Sequence, residues 1–402
     1  MNNDVSVRNT KAIGLALSGG GVRAAAFHAG VLRYLAEQRL LEQVVHISSV
    51  SGGSLFIGIV FQHSSCCWPG SEMYLREVFP HIRQTLTTKS LQRSALFRLL
   101  FNPLNWRFIL SRANVLAQTI HSLWGINSQL NSLGSAPAWS INCTTGETGR
   151  RYRFKNGTMG DYELGYASVD DFSLSRAMAI SAAFPGGIGP LALNAKEFIW
   201  TKRKDWNCKT AEPYHPPFNK IHLYDGGLYD NLGIEPMFDV GQQSLKSDKS
   251  LIEDVTYLLV SDGGAPLARQ AIPHPLNPFR FKRIADIALD QSRALRVRSF
   301  INFLQKKPTA GAYVGIGTDA QSSIARFEKG REIIAKKLLL QDWLSSQDVT
   351  RAATYSTTLG QLSLSTFNLL ERHGYETAKW NIEMMSQTTK ASTDVLEKEY
   401  KQ

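Results

Sequence analysis

The sequence predicts an α/β fold built on a sheet of parallel strands. Two observations carry this. An apolar run at residues 12–17 passes through Ser18 and three glycines into an Ala/Leu-rich stretch. A second apolar run, 44–50, passes through a Ser/Gly turn into another apolar stretch, 53–63. Strand, loop, helix, strand, turn, helix is the order of a parallel sheet with crossover helices.

The first helix spans 22–40, where Phe27, Val31, Leu32 and Leu35 recur at helical spacing. Residues 68–135 differ: Trp, Phe and Leu alternate with Arg93, Arg98, Arg107 and Arg112, and Pro103 interrupts the pattern. Two compatible readings fit this basic, apolar segment. One is a helical insertion packed on the core with a solvated charged face; the other is a lid or membrane-contact element. AWSINCTT (138–145) and RRYRF (150–154) read as a hairpin around Gly146–Gly149. A helix over 173–184 stops before Pro185. A polar, Pro-rich loop (203–219) leads to a short strand at 221–224 and a stronger one at 255–262. Residues 280–307 read as a basic helix with only Asp286 and Asp290 as acids, 311–318 as a last strand, and the tail from about 328 as mostly helical.

Length and charge narrow the function. The 402 residues suffice for one large domain or a domain with an appendage. A formal net charge of +11 favours a phosphate-rich partner, nucleic acid or an anionic bilayer. No long Lys/Arg block and no nucleic-acid module is present, so the balance lies with a membrane surface. No apolar stretch is long enough to span a bilayer, and 12–17 is too short for a secretory leader. The four cysteines form no C-x-x-C. They are expected as reduced thiols in a cytoplasmic protein peripheral to the membrane. His63 beside Cys66 and Cys67 fits no usual zinc spacing.

Three short stretches carry chemistry. LSGGGVR, Leu17–Arg23, puts three glycines at a helix N-terminus, where exposed N–H groups suit an anion, either a phosphate or the oxyanion of acyl transfer. It lacks the Lys-Ser/Thr pair and the spacing of nucleotide loops. HISSVSGGS offers Ser48, Ser49, Ser51 and Ser54 in a strand-turn-helix resembling the G-x-S-x-G nucleophile elbow. Such a turn needs small residues two positions to either side. Only Ser51 has them, in Ser49 and Gly53; the alternatives place His46, Ile47 or Phe56 there. Asp-Gly-Gly occurs twice, at Asp225 and Asp262, each after a strand. Either carboxylate could act on a serine, and local chemistry does not separate them. His28 and His222 read as structural.

Together these pieces resemble the patatin-like phospholipase family. The blocks occur in the family's order: Gly19-Gly20-Gly21-Val22-Arg23, then Ser49-Val50-Ser51-Gly52-Gly53, then Asp225-Gly226-Gly227. Ser49 replaces the first elbow glycine. DGGLYDNLGIEP looks like the family's Asp block far more than SDGGAP does, and AISAAFPG (179–186) and LERHGYETAKW (370–380) look similar to further family segments. The resemblance implies a three-layer α/β/α fold with a mostly parallel central sheet. It implies a catalytic domain over 10–325 carrying the 68–135 insertion, and a helical extension over 326–402 packed on it. It implies a Ser51–Asp225 dyad without His, and an oxyanion hole from the Gly19–Arg23 loop, chiefly the N–H groups of Gly20, Gly21 and Val22. Arg23 would brace the loop or meet a lipid phosphate. No metal or other cofactor is implied. The expected substrate is a phospholipid or other acyl-ester lipid at an anionic membrane surface. Relatives include toxins and defence effectors, so gating by an unknown activator is a further expectation. The competing classes are a non-catalytic lipid-binding or nucleotide-responsive regulator on the same fold.

Overall fold

The computed structural model describes residues 11–155, 157–169, 171–185, 187–205, 208, 210–247, 253–274, 277, 279–326 and 331–386. Twelve strands form one sheet. In chain order these are β1 (Ile13–Leu17), β2 (Val44–Val50), β3 (Ala138–Thr145), β4 (Arg151–Lys155), β5 (Thr158–Asp161), β6 (Gly165–Ser168), β7 (Leu191–Asn194), β8 (Trp200–Lys202), β9 (Glu212–Tyr214), β10 (Lys220–Asp225), β11 (Tyr257–Asp262) and β12 (Gly311–Gly315). Their spatial order is β12-β11-β1-β2-β3-β4-β5-β6-β8-β9, and β10 pairs with β3 and β7. β12, β11, β1, β2 and β3 run parallel, and the remaining pairings are antiparallel. The expected Pro-rich loop at 203–219 thus contains a short edge strand, β9. Its Pro213 fits there, because an edge strand tolerates a missing donor.

The parallel strands are buried along their length, β1 and β11 without exception, as continuous apolar sequences in a covered parallel sheet should be. One cover is α1 (Gly21–Glu37), and α2 (Gly52–Gln62) lies beside it, with Phe27, Leu32, Phe56 and Phe61 fully buried in the main core. A long C-terminal helix over Leu364–Ser386 crosses α1 at two glycines. A Cβ on Gly30 would come within 1.8 Å of the Glu371 carbonyl oxygen, and one on Gly374 within 2.0 Å of that of Phe27. Only glycine lets the two backbones touch, so the helix carrying the glycine loop is clamped by the far end of the chain.

The register of β3 positions the site. Along one edge, β2 pairs up to Val50 opposite Asn142. β4 holds the other edge from Ile141 to Thr144. β10 therefore joins the edge that β2 vacates, with Asp225 opposite Cys143. The residue after β2 and the last residue of β10 meet there. The 68–135 segment is the long crossover from α2 to β3, and it contains α3 (Phe79–Thr88), α4 (Leu91–Phe101) and α5 (Ala113–Leu123). It packs on the core through Ile82, Leu86, Leu91, Leu116 and Ile120. Its α4 and following turn expose Phe97, Phe101, Leu104, Trp106 and Leu110, the last at 85%. Among the described residues no helix is long and apolar enough to cross a membrane.

Candidate active site

Ser51 occupies the turn between β2 and α2 with φ 49° and ψ −115°. A non-glycine residue rarely holds this conformation, at a cost of about 1–3 kcal/mol, and it persists only where the surroundings impose it. The imposing contacts are visible. Cβ atoms at Gly52 and Gly53 would strike the backbone of Gly21 at 2.3 Å and of Leu17 at 2.5 Å, so the elbow is pressed against the glycine loop. The Ser51 N–H donates to Ser181 Oγ at 3.0 Å, and that hydroxyl donates to the Asn142 carbonyl at 2.7 Å. Ser181 also meets Ser54 Oγ at 2.8 Å, Ser54 meets Ser49 Oγ at 2.8 Å, and Trp139 Nε1–H donates to Ser49 Oγ at 2.8 Å. Ser48 donates to the Gly233 carbonyl.

The four serines therefore separate cleanly. Ser48, Ser49 and Ser54 are fully buried, and their hydroxyls serve the framework. Ser51 alone is partly exposed. Ser49 is more than a small substitute for glycine: its hydroxyl links Trp139 to Ser54.

The Ser51 side chain lies close enough to the Asp225 carboxyl to favour its charged form. Asp225 ends β10 and is 3% exposed. Its Oδ1 accepts the Gly227 N–H at 2.7 Å, and Thr144 Oγ1 donates to its carbonyl at 2.9 Å. Burial raises its pKa to about 7, against the lowering effect of the Gly227 hydrogen bond and of the Ser51 side chain. Asn231, six residues on, accepts the Gly19 N–H through its carbonyl at 3.0 Å. A Cβ on Gly19 would lie 2.4 Å from the Asn231 Oδ1, so this side chain fills the space between the Asp225 turn and the glycine loop.

Asp262 is placed quite differently. It is fully buried and bound to Arg293 at 2.7 Å, to the Tyr313 hydroxyl at 2.7 Å and to the Gly264 N–H at 3.0 Å. All of its acceptor capacity goes to structure. The two histidines noted in the sequence are also engaged. His28 bonds Ser261 Oγ at 2.7 Å and the Ser18 carbonyl at 3.0 Å, with its pKa lowered by burial to about 4, and His222 Nδ1 bonds Glu147 at 2.6 Å.

In the glycine loop, Gly20 (φ 142°) and Gly21 (φ 62°) both lie where only glycine sits comfortably. Not every expected oxyanion donor is free. The Gly19 N–H is taken by Asn231, and the Val22 N–H donates to the Thr358 carbonyl at 3.0 Å. Arg23 is 1% exposed, with Nε donating to the Gly263 carbonyl at 3.0 Å and Nη1 to that of Tyr355 at 2.5 Å. Its guanidinium is thus spent on two backbone carbonyls inside the fold. Ser181 lies within the AISAAFPG segment, though nothing there marked it as the support of the elbow, and no sequence signal pointed to Thr358 over the loop. Asn231 lies inside the DGGLYDN run, and its spacing from Asp225 was the available hint.

The family model for patatin-like phospholipases matches residues 15–238. That span contains the glycine loop, the elbow and the Asp225 turn. The chain belongs to this family. Its fold agrees with human group IVD cytosolic phospholipase A2, with a TM-score of 0.53 at 13% identity. The match covers 95% of this chain and 63% of that one, so this patatin-like chain spans less than two thirds of the human enzyme's length. The same human enzyme in complex with methyl γ-linolenyl fluorophosphonate gives a TM-score of 0.46 at 14% identity, over 96% of this chain and 60% of that one. VipD from Legionella pneumophila gives 0.31 at 13% identity, over 94% and 67%. No curated protein matches the sequence.

Proposed function

We propose that this chain is a serine acyl hydrolase of membrane lipids, of phospholipase A or lysophospholipase type. The observation that carries the reading is the approach of Ser51, held in a strained elbow, to the buried carboxyl of Asp225, whose charged form it favours. Asp225, ionised, accepts the Ser51 proton as Oγ attacks the ester carbonyl. The negative charge passes to the carbonyl oxygen, which the N–H groups of Gly20 and Gly21 at the α1 N-terminus stabilise. The proton then goes to the leaving alcohol. In the second half Asp225 deprotonates water, which releases the acyl group from Ser51. No step needs a metal. The exposed apolar residues 97–110, interleaved with Arg98 and Arg107, support docking on an anionic membrane surface.

A fluorophosphonate probe tests the dyad. Wild type should label and Ser51→Ala should not; equal labelling of the two, or none of either, removes the reading.

The expected gate has one specific support. The Tyr355–Leu362 segment lies across the loop: the Thr358 carbonyl holds the Val22 N–H, the Thr358 hydroxyl donates to Gln92 Oε1 at 2.6 Å, and the Leu362 N–H donates to the Leu86 carbonyl at 2.9 Å. This strap joins the glycine loop to the insertion, so moving the insertion moves the loop. Purified protein is therefore expected to hydrolyse phospholipid vesicles slowly until an activator is supplied. Full turnover on bare vesicles would count against the gate while leaving the hydrolase standing.

A further inference from the structure

A cleft of about 440 Å³ lies where the insertion meets α6, the Leu174–Ser181 helix. Arg98 enters it from α4, Gln118, His121 and Ser122 from α5, and Ser175 and Arg176 from the first turn of α6. Among the described residues no carboxylate lines it. Neither arginine forms an ion pair among those residues. Arg98 donates through Nη2 to Ser122 Oγ at 2.6 Å, and its Nε is buried without a partner. Arg176 has only the Phe172 ring, 5.1 Å from its guanidinium carbon, and a longer-range attraction to Glu197. Both guanidinium groups line one cleft with no carboxylate in its wall, and a partly buried cation left unpaired is costly. A buried guanidinium donor without an acceptor needs an explanation in a folded protein.

We propose that this cleft binds a phosphate group. Two arginine forks match the oxygens of a phosphate, Gln118 keeps one amide N–H beyond the one given to Asn105 Oδ1, and the N-terminal turn of α6 adds a favourable dipole. The volume exceeds that of a bare phosphate and leaves room for the group it esterifies. Two sources share this chemistry: the headgroup of a lipid in a bilayer and a soluble phosphate ester. The exposed Phe97 and Phe101 on the same helix as Arg98 place the cleft beside an apolar face, which suits the lipid source. The site is separate from Ser51. It is linked to the elbow, however, because Ser181 at the other end of α6 accepts the Ser51 N–H.

Binding is measured on the full-length chain carrying Ser51→Ala, so lipid turnover plays no part and failure of the hydrolase reading would leave the result intact. One arm uses phosphatidylcholine vesicles with and without phosphatidic acid; the other titrates glycerol 3-phosphate. Arg98→Gln with Arg176→Gln should weaken binding about tenfold. Arg283→Gln with Arg298→Gln, which removes the same charge from the basic helix Phe279–Lys306, should change it less than about twofold. Gln118→Trp, which fills the cleft and keeps its charge, should weaken it as well, and melting curves confirm that each variant is folded. Selective loss on phosphatidic acid vesicles assigns the lipid headgroup, and selective loss with glycerol 3-phosphate assigns the soluble ester. Equal weakening by the two double variants, or wild-type binding to neither probe, overturns the proposal.

Discussion

Asp225→Asn is expected to lower kcat on a phospholipid by about 10³-fold or more, with the fold intact. The amide keeps the shape of the carboxylate and can still accept the Gly227 N–H, but it cannot take the Ser51 proton. The same residue sets the pH dependence. With its pKa raised by burial to about 7, Asp225 is largely protonated at pH 6 and cannot act as a base. In wild type, kcat/KM should therefore rise along an acid limb with an apparent pKa near 7. Stability moves the opposite way. Unfolded Asp ionises near pH 4 and folded Asp225 near 7, so between these values the folded chain holds a proton that the unfolded chain has released. This contribution is full below about pH 4 and is lost as pH rises through 7. The Asn variant lacks the loss, so its stability relative to wild type should be greater at pH 8 than at pH 4.5 in urea unfolding. A flat kcat/KM between pH 6 and 8, or Asn turnover within tenfold of wild type, would remove Asp225 as the base.

The parts of the site legible in the sequence are those set by local sterics. The glycine loop must be Gly20 and Gly21 because their φ values exclude other residues. Ser51 could be chosen among four serines because its flanking positions crowd the turn, and the structure leaves the other three hydroxyls buried. Contacts across long sequence separations were not legible. Ser51 and Ser181 are 130 residues apart, and Arg23 and Tyr355 are 332 apart. Nothing in the composition of the Tyr355–Leu362 segment marks it as a strap over a helix N-terminus. The general rule that functional groups gather at the carboxyl ends of parallel strands points away from the proposed base. That rule describes Asp262, at the end of the parallel strand β11, whereas Asp225 ends an antiparallel strand. Asp225 reaches Ser51 because β10 takes over the edge of β3 where β2 stops, which is a matter of register rather than of motif.

The two Asp-Gly-Gly turns should therefore give opposite results. Asp262→Asn is expected to cost about 3–5 kcal/mol of stability, since removing one partner of a buried pair leaves the other charge uncompensated. The charge that Arg293 meets at 2.7 and 2.8 Å would be gone, and the amide's single oxygen could serve either Arg293 and Tyr313 or the Gly264 N–H, but not both. Arg23, buried beside the same carboxylate, would lose part of the attraction that offsets its own desolvation. Because Arg23 still reaches the Gly263 carbonyl, the glycine loop keeps its brace, and kcat per folded molecule should stay within about tenfold of wild type. Adding Arg293→Met to Asp262→Asn removes the stranded charge and should recover most of the stability, as replacement of buried ion pairs by apolar side chains commonly does. Denaturant unfolding read beside initial rates decides the matter. Loss of turnover without loss of stability in Asp262→Asn would place the base on the wrong turn. Loss of stability with turnover retained would show that one tripeptide, repeated in a single chain, serves as a base where its carboxyl meets a hydroxyl and as a counter-ion where it meets a guanidinium.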